Sequence, residues 1–479
     1  MDIKIINETI WEIEKKLPIA RPHLLGFDVW PLIRLALFQE LSQGVSKNKS
    51  ALNRLPELFD VLLCLIISRF RLFSSRKKNR IEPTTKILFI GRPQHYHSIN
   101  GSRLLYDRVI DPLIDSLDFD FDFAKSCLGV PPKCKMYLSP IRLKLRGRFR
   151  ISSELEAQLS SHIQKLIPSE LCSSGLFNRS INHVNTFNAS YRKAQTLLNK
   201  CPSIRHIVLS VWYSPDAMGL IAAAKARNIL TIDVQHGSQG KFHGMYGTWN
   251  CMPEGGYEMI PSMFWCWAPK NTNAIYGEPD NNPSIRTIVG GYPWPAFKEK
   301  FQDGGLNKNS GLDTHPIRVV YSLQSAHFNN LGIPDFVTNF LVKENNRVKF
   351  YFKHHPNERN QKLIEQQISN LDLKTCYTFV NPESDLVALL KNATHHITAY
   401  SSVAYEALLA HVPTLLFGDE SKEIMSEALS DKVFTWSTGT TSELAEFLST
   451  GFNTTVPFED YISSSISLTS MTMRIVSNL

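Results

Sequence analysis

The feature that most constrains this chain is a run of short, almost wholly apolar segments, each ending in a polar turn and most followed by a helix-spaced stretch. They come in two sets. The first holds Lys86-Ile87-Leu88-Phe89-Ile90 up to Gly91, residues 204–211, the Ala-rich stretch 215–227, residues 229–234, and residues 285–289 before Gly290-Gly291. The second holds Ile317-Arg318-Val319-Val320-Tyr321, Val348-Lys349-Phe350-Tyr351-Phe352, His395-His396-Ile397-Thr398-Ala399 and Pro413-Thr414-Leu415-Leu416-Phe417. Strands that are apolar at consecutive positions are buried on both faces, which belongs to parallel sheets with right-handed helical crossovers. Between the sets, residues 301–316 are rich in Gly, Asn, Asp and Ser and read as a linker.

The expectation is therefore an α/β chain with two Rossmann-like, doubly wound domains and a ligand cleft between them. Residues 1–80 carry helix-spaced apolar positions and read as a helical segment packed on the first domain. Residues 81–300 form that domain, 317–450 the second, and 451–479 a tail. Within the first domain, residues 102–117 are expected to be a long helix.

The 479 residues are 43% hydrophobic and 20% charged, which excludes a disordered chain. A net charge of +8 is modest and gives no argument for nucleic acid as a partner. The eight cysteines contain no Cys-x-x-Cys pair, so free thiols in a reducing compartment are expected. The start lacks the layout of a signal peptide, and the densest apolar run, residues 61–67, is far short of a bilayer span. These features point to a cytoplasmic protein. Two basic stretches, near residues 69–80 and 133–150, interleave Arg and Lys with large apolar residues. They read either as solvated surface or as a peripheral contact with an anionic inner membrane.

Three constellations carry chemistry. Lys353-His354-His355-Pro356 follows a strand, and Pro356 forces the chain to turn there, aiming His355 at the cleft. Ser401-Ser402 lies between a strand and a helix, where one serine caps and the remaining N–H and hydroxyl groups can hold an anion. Glu406, one turn further on, suits ribose hydroxyls. The third constellation, Asp233-Val234-Gln235-His236-Gly237, ends a strand and opens a glycine-flanked loop. Asp233 and His236 are the catalytic candidates, one as nucleophile or base and the other as donor or base. Gln235, Gly237, His95, His97 and His243 are expected on the acceptor side, with Tyr246 and Trp249 along the same groove. No metal-ligand set and no fingerprint of a tightly bound cofactor stands out.

With those residues in view, the chain resembles bacterial two-domain GT-B glycosyltransferases that build capsules and lipopolysaccharides. The similarity is greatest to those using CMP-activated acidic sugars, whose C-terminal domains carry His-Pro and Ser-Ser motifs around the CMP phosphate. His355-Pro356 and Ser401-Ser402 match these. Phe27-Asp28-Val29-Trp30-Pro31-Leu32 looks like the opening segment of capsule-type transferases, and Gln235-His236-Gly237 like an acceptor-side loop. The resemblance implies a CMP-sugar donor, with Kdo ahead of sialic acid because an Asp/Glu-Asp/Glu-Gly motif is not evident, and a glycan or lipid-linked acceptor. In some retaining Kdo transferases a strand-end acid acts as nucleophile, and Asp233 matches that position; inverting chemistry, with Asp233 or His236 as base, is the main competitor. A teichoic-acid-type glycerophosphotransferase using CDP-glycerol, and a non-catalytic nucleotide-sugar-binding subunit, are the alternatives.

Overall fold

The computed structural model describes residues 3–43, 81–99, 104–117 and 122–130. It also describes 135–301 apart from 146, 148, 274 and 276–284, and 315–463 apart from 325–332, 344–346, 356–360, 372, 374–376, 381–383, 385 and 452–457. The basic stretch 69–80, the apolar run 61–67 and Pro356 lie outside the described residues.

The chain opens with two helices, α1 (Ile3–Glu14) and α2 (Trp30–Gln43). The first sheet has seven parallel strands: β1 (Ile87–Gly91), β2 (Phe123–Leu128), β3 (Ile141–Leu143), β4 (His206–Leu209), β5 (Leu230–Val234), β6 (Met263–Cys266) and β7 (Arg286–Val289), in the spatial order β7-β6-β5-β4-β1-β2-β3. The second has six parallel strands: β8 (Ile317–Ser322), β9 (Val348–Lys353), β10 (Tyr377–Val380), β11 (His395–Thr398), β12 (Thr414–Phe417) and β13 (Thr435–Ser437), in the order β10-β9-β8-β11-β12-β13. Each order runs outward in both directions from its first strand. The topological switch points thus fall between β1 and β4 and between β8 and β11, and the crevice outside the carboxyl ends of such strands is where doubly wound sheets bind ligands.

The covering helices follow from sequence. Ser173 caps the long helix α3 (Ser174–Lys200) through its side chain. Ser214 caps α4 (Pro215–Lys225), with Pro215 in its first turn. In the second domain α5 (Val403–Leu409) follows β11.

The long helix expected over residues 102–117 does not form. Leu104–Asp107 is a strand antiparallel to Tyr96–Ser98, and a short helix occupies Asp111–Asp115. The Asp107 carboxylate accepts hydrogen bonds from the N–H groups of Val109 and Ile110 and turns the chain there. Asp107 is fully buried against Gly91, where a Cβ would lie 2.0 Å from its Oδ2. Strand β1 must therefore end in glycine.

Several apolar members of the 133–150 stretch pack against the first domain while staying partly exposed. Tyr137 stacks on Tyr106 at 5.0 Å, Leu145 is buried, and Phe149 lies under the Arg192 guanidinium. Among the described residues no helix is long and apolar enough to cross a membrane.

The N-terminal helices build a polar centre. Glu14 and Arg34, both fully buried, form an ion pair. Glu14 also accepts from Trp30 Nε1 (3.0 Å) and the Asn250 N–H (2.8 Å). Arg34 donates to the carbonyls of Gly244 (2.9 Å) and Thr248 (3.0 Å) and lies over the Trp249 ring. Near the end of the chain, residues 458–463 return to the first domain. The Ser463 carbonyl accepts from the Tyr292 N–H at 2.7 Å, and its N–H donates to Trp267 at 3.3 Å.

Candidate functional site in the interdomain cleft

On the first-domain wall, β1 ends in Gly91-Arg92, and Arg92 is buried. Its guanidinium donates to the carbonyls of Ser210 (3.4 Å) and Val211 (3.0 Å) and to Ser214 Oγ, and it pairs with Asp216. This clamp holds Val211 at φ +60°, a conformation costly for a β-branched residue. Ser210 in turn meets His95 Nδ1 at 3.1 Å.

Asp233 lies beneath this turn, fully buried. Its Oδ1 accepts from the Trp212 N–H (3.0 Å) and its Oδ2 from the Tyr246 hydroxyl (2.5 Å). Burial pushes its pKa up to about 8 despite those two donors. With both oxygens engaged inside the domain, Asp233 does not reach the cleft as a nucleophile would have to. Gln235 is likewise internal. It donates to the Gly237 carbonyl, accepts from the Trp267 N–H at 2.7 Å, and so shapes the loop without facing an acceptor. Tyr246 and Trp249 are buried, not groove-lining.

What the loop does present is imidazole. The partly buried His236 packs 5.3 Å from His95, ring centre to ring centre, with Tyr213 and Tyr246 beside it. Its Nδ1 is buried without a hydrogen-bond partner among the described residues. His243 Nδ1 accepts from the N–H groups of Met245 and Tyr246, both at 3.2 Å, so its proton sits on Nε2. Burial drives His236 down to about 3 and His243 to about 4, and puts His95 well below its ordinary value. All three are neutral at physiological pH. Gly237 has open space around it.

On the second-domain wall, the adjacent histidines part company. His354 is buried, stacked on Phe379 and 3.1 Å from Glu365, whereas His355 is partly exposed. Ser401 Oγ accepts from the Val403 N–H at 3.3 Å, and Ser402, at the start of α5, makes no capping bond. Lys353 donates to the Ser384 carbonyl. Glu406 is already committed: its Oε1 accepts from the Tyr292 hydroxyl at 2.9 Å and lies 3.9 Å from the Arg108 guanidinium. The ribose role expected of Glu406 therefore competes with a bridge between the domains.

The two walls meet electrostatically. His97 of the first domain is held down to about 3, chiefly by burial, then by the charges of Arg108, of Lys353 from the other domain, and of Lys298. The sequence reading missed Arg108, Arg92 and Tyr292. Their partners lie over a hundred residues away along the chain, so no local spacing marks them. Among the described residues no cluster of His, Cys, Asp and Glu is arranged to hold a metal ion.

No protein-family model matches the chain, and no curated protein does. Solved structures match it in shape. The UDP-GlcNAc 2-epimerase of Methanocaldococcus jannaschii superposes with a TM-score of 0.52 at 13% identity, over 82% of this chain and 100% of its own. That of Neisseria meningitidis, bound to UDP-GlcNAc, gives 0.50 at 11% identity, over 82% and 100%. The fold is GT-B: two Rossmann-like doubly wound domains, here with a helical N-terminal segment. Its structural neighbours are enzymes of nucleotide sugars.

Proposed function

We propose that this protein is a glycosyltransferase that moves an acidic sugar, Kdo ahead of sialic acid, from a CMP donor to a bacterial surface glycan or glycolipid. The observation that carries the reading is the meeting of cationic groups from both domains in one cleft, Arg108 and Lys298 of the first with Lys353 of the second, all close enough to act on His97. Such a cleft suits a donor that is anionic at both its phosphate and its sugar. Lys353, His355 and the Ser401/Ser402 turn would hold the phosphate, with Pro356 setting the turn. His95, His97, Gly237 and His243 would flank the acceptor.

In the step itself, an acceptor hydroxyl attacks the anomeric carbon as the bond from that carbon to the phosphate oxygen breaks. The electron pair leaves with CMP, and the proton goes to the neutral imidazole of His236. A bound anion raises the basicity of that imidazole, which burial otherwise holds low. Asp233 anchors the turn beneath it. Cations at the leaving phosphate stabilise the developing charge without a resident metal. Attachment to an anionic membrane, if the charged stretches provide it, would be electrostatic and fade with salt.

A UDP-sugar donor is the second reading, favoured by the two structural neighbours, both UDP-GlcNAc 2-epimerases. A consumption screen over CMP-Kdo, CMP-sialic acid, CDP-glycerol and UDP-GlcNAc tests the choice. CMP release from CMP-Kdo is expected, and His355→Ala should weaken CMP binding about tenfold in calorimetry. Turnover of UDP-GlcNAc alone replaces the first reading by the second, and turnover of CDP-glycerol alone would make the enzyme a glycerophosphotransferase.

A further inference from the structure

We propose that Arg108 is the specificity-determining residue of the cleft, reading a carboxylate on the donor's sugar. The inference rests on the proposed reading of the cleft as a nucleotide-sugar site. Arg108 follows directly on Asp107, whose buried carboxylate fixes the turn, and its own N–H donates to the His95 carbonyl at 2.9 Å. The backbone that carries this side chain is therefore rigid, as a recognition residue requires.

The guanidinium is underused. Among the described residues one of its five N–H donors makes a hydrogen bond, to the His236 carbonyl at 3.0 Å. Glu406, at 3.9 Å, is an ion-pair partner beyond hydrogen-bond reach, and its nearer oxygen already takes the Tyr292 hydroxyl. The side chain is 26% exposed, so it is reachable from the cleft. Beside it lies a small cavity walled by Val109, Val234, Trp267 and Tyr292 along with His236. Apolar walls keep water away and strengthen a charge pair formed there.

A planar fork with free donors matches a carboxylate in bidentate fashion, which an ammonium group cannot do. The position also separates labour. Lys353 and the Ser401/Ser402 turn stand on the second-domain wall, where the phosphate is proposed, whereas Arg108 comes from the first-domain wall, on the side of His236. Its contact with the His236 carbonyl would bring the recognised group beside the reacting carbon. Glu406, 3.9 Å away, holds Arg108 toward the second domain.

The test is calorimetric binding of four ligands, CMP, CMP-sialic acid, UDP-glucuronate and UDP-glucose, to wild type, Arg108→Gln and Arg108→Lys. In Arg108→Gln the affinity for CMP and UDP-glucose should stay within about twofold. Affinity for the acidic sugar nucleotide that the wild type binds should fall at least tenfold. Arg108→Lys should recover less than half of that loss, because one point charge does not replace the fork. An equal loss for acidic and neutral ligands would put Arg108 on the nucleotide and overturn the proposal. Unchanged binding of all ligands would make it a mere strut between the domains and overturn it too. If the wild type binds none of the four, the reading of the cleft falls and the inference falls with it. If only the UDP pair binds, the choice of CMP donor fails while the carboxylate effect is still read from glucuronate against glucose.

Discussion

Replacing Arg34 by methionine should do more harm than its distance from the cleft suggests. Methionine keeps much of the aliphatic stem, so little volume is lost. What disappears is a fully buried guanidinium that pairs with Glu14 and donates to the carbonyls of Gly244 and Thr248. Glu14 is left buried, with two neutral donors, Trp30 Nε1 and the Asn250 N–H, to share its charge. Breaking a buried pair from one side costs about 3–5 kcal/mol. Adding Glu14→Gln removes the stranded charge yet keeps an acceptor for those donors, and should return roughly 2 kcal/mol of the loss. Urea unfolding followed by tryptophan fluorescence measures this, read on the first transition because two domains need not melt together. The Gly244 and Thr248 amides should exchange hydrogen faster in Arg34→Met. A single variant within about 1 kcal/mol of wild type, or a double variant no better than the single one, would refute the reasoning.

Two further outcomes follow from buried groups. Asp233→Asn should lower stability by about 1–3 kcal/mol, since an amide oxygen serves only one of the two donors, while CMP affinity is kept. A variant of undiminished stability with no transfer activity, and a covalent sugar adduct by intact mass on the wild type, would restore Asp233 as the nucleophile. Acid should destabilise the second domain. His396 is fully buried between Thr414 and Ser322, and burial lowers its pKa to about 3. The unfolded chain takes up the proton first, near pH 6.5. The neutral form's stability is therefore complete above that pH and drains as the pH falls toward 3, at up to ~1.4 kcal/mol per unit. Melting temperatures at pH 7, 6 and 5 should show the fall, and His396→Gln should flatten its slope; an unchanged slope would assign the acid response elsewhere.

The parallel sheets were legible because apolar runs such as Leu88-Phe89-Ile90 have no other economical use than a strand buried on both faces. The Ala-rich helix announced itself by composition. Residues 102–117 misled because Val109, Ile110, Leu113 and Leu117 do keep helical spacing. The preceding Leu104-Leu105-Tyr106 satisfies its backbone against Tyr96–Ser98 instead, a pairing that depends on tertiary contact. At the site, sequence located the loops but not the division of labour within them. His354 and His355 share a motif and end on opposite sides of a strand end. Asp233 and Gln235 looked chemical because they are polar at a strand end, yet their partners, Tyr246, Trp212 and Trp267, turn them inward. Arg108 had no motif at all. Its meaning lies in Glu406 and His236, brought to it only by the folded cleft.

The return of residues 458–463 to the first domain has a mechanical corollary. The chain crosses from the first domain to the second after residue 301 and is fastened back through Ser463 to Trp267 and Tyr292. A body tethered at two separate points keeps one easy motion, rotation about the line joining them. Any rotation of one domain against the other is expected to run about that line and to bring Arg108 and Glu406 together in one register. Cutting the second tether, by ending the chain at residue 457, would turn a door into a ball joint.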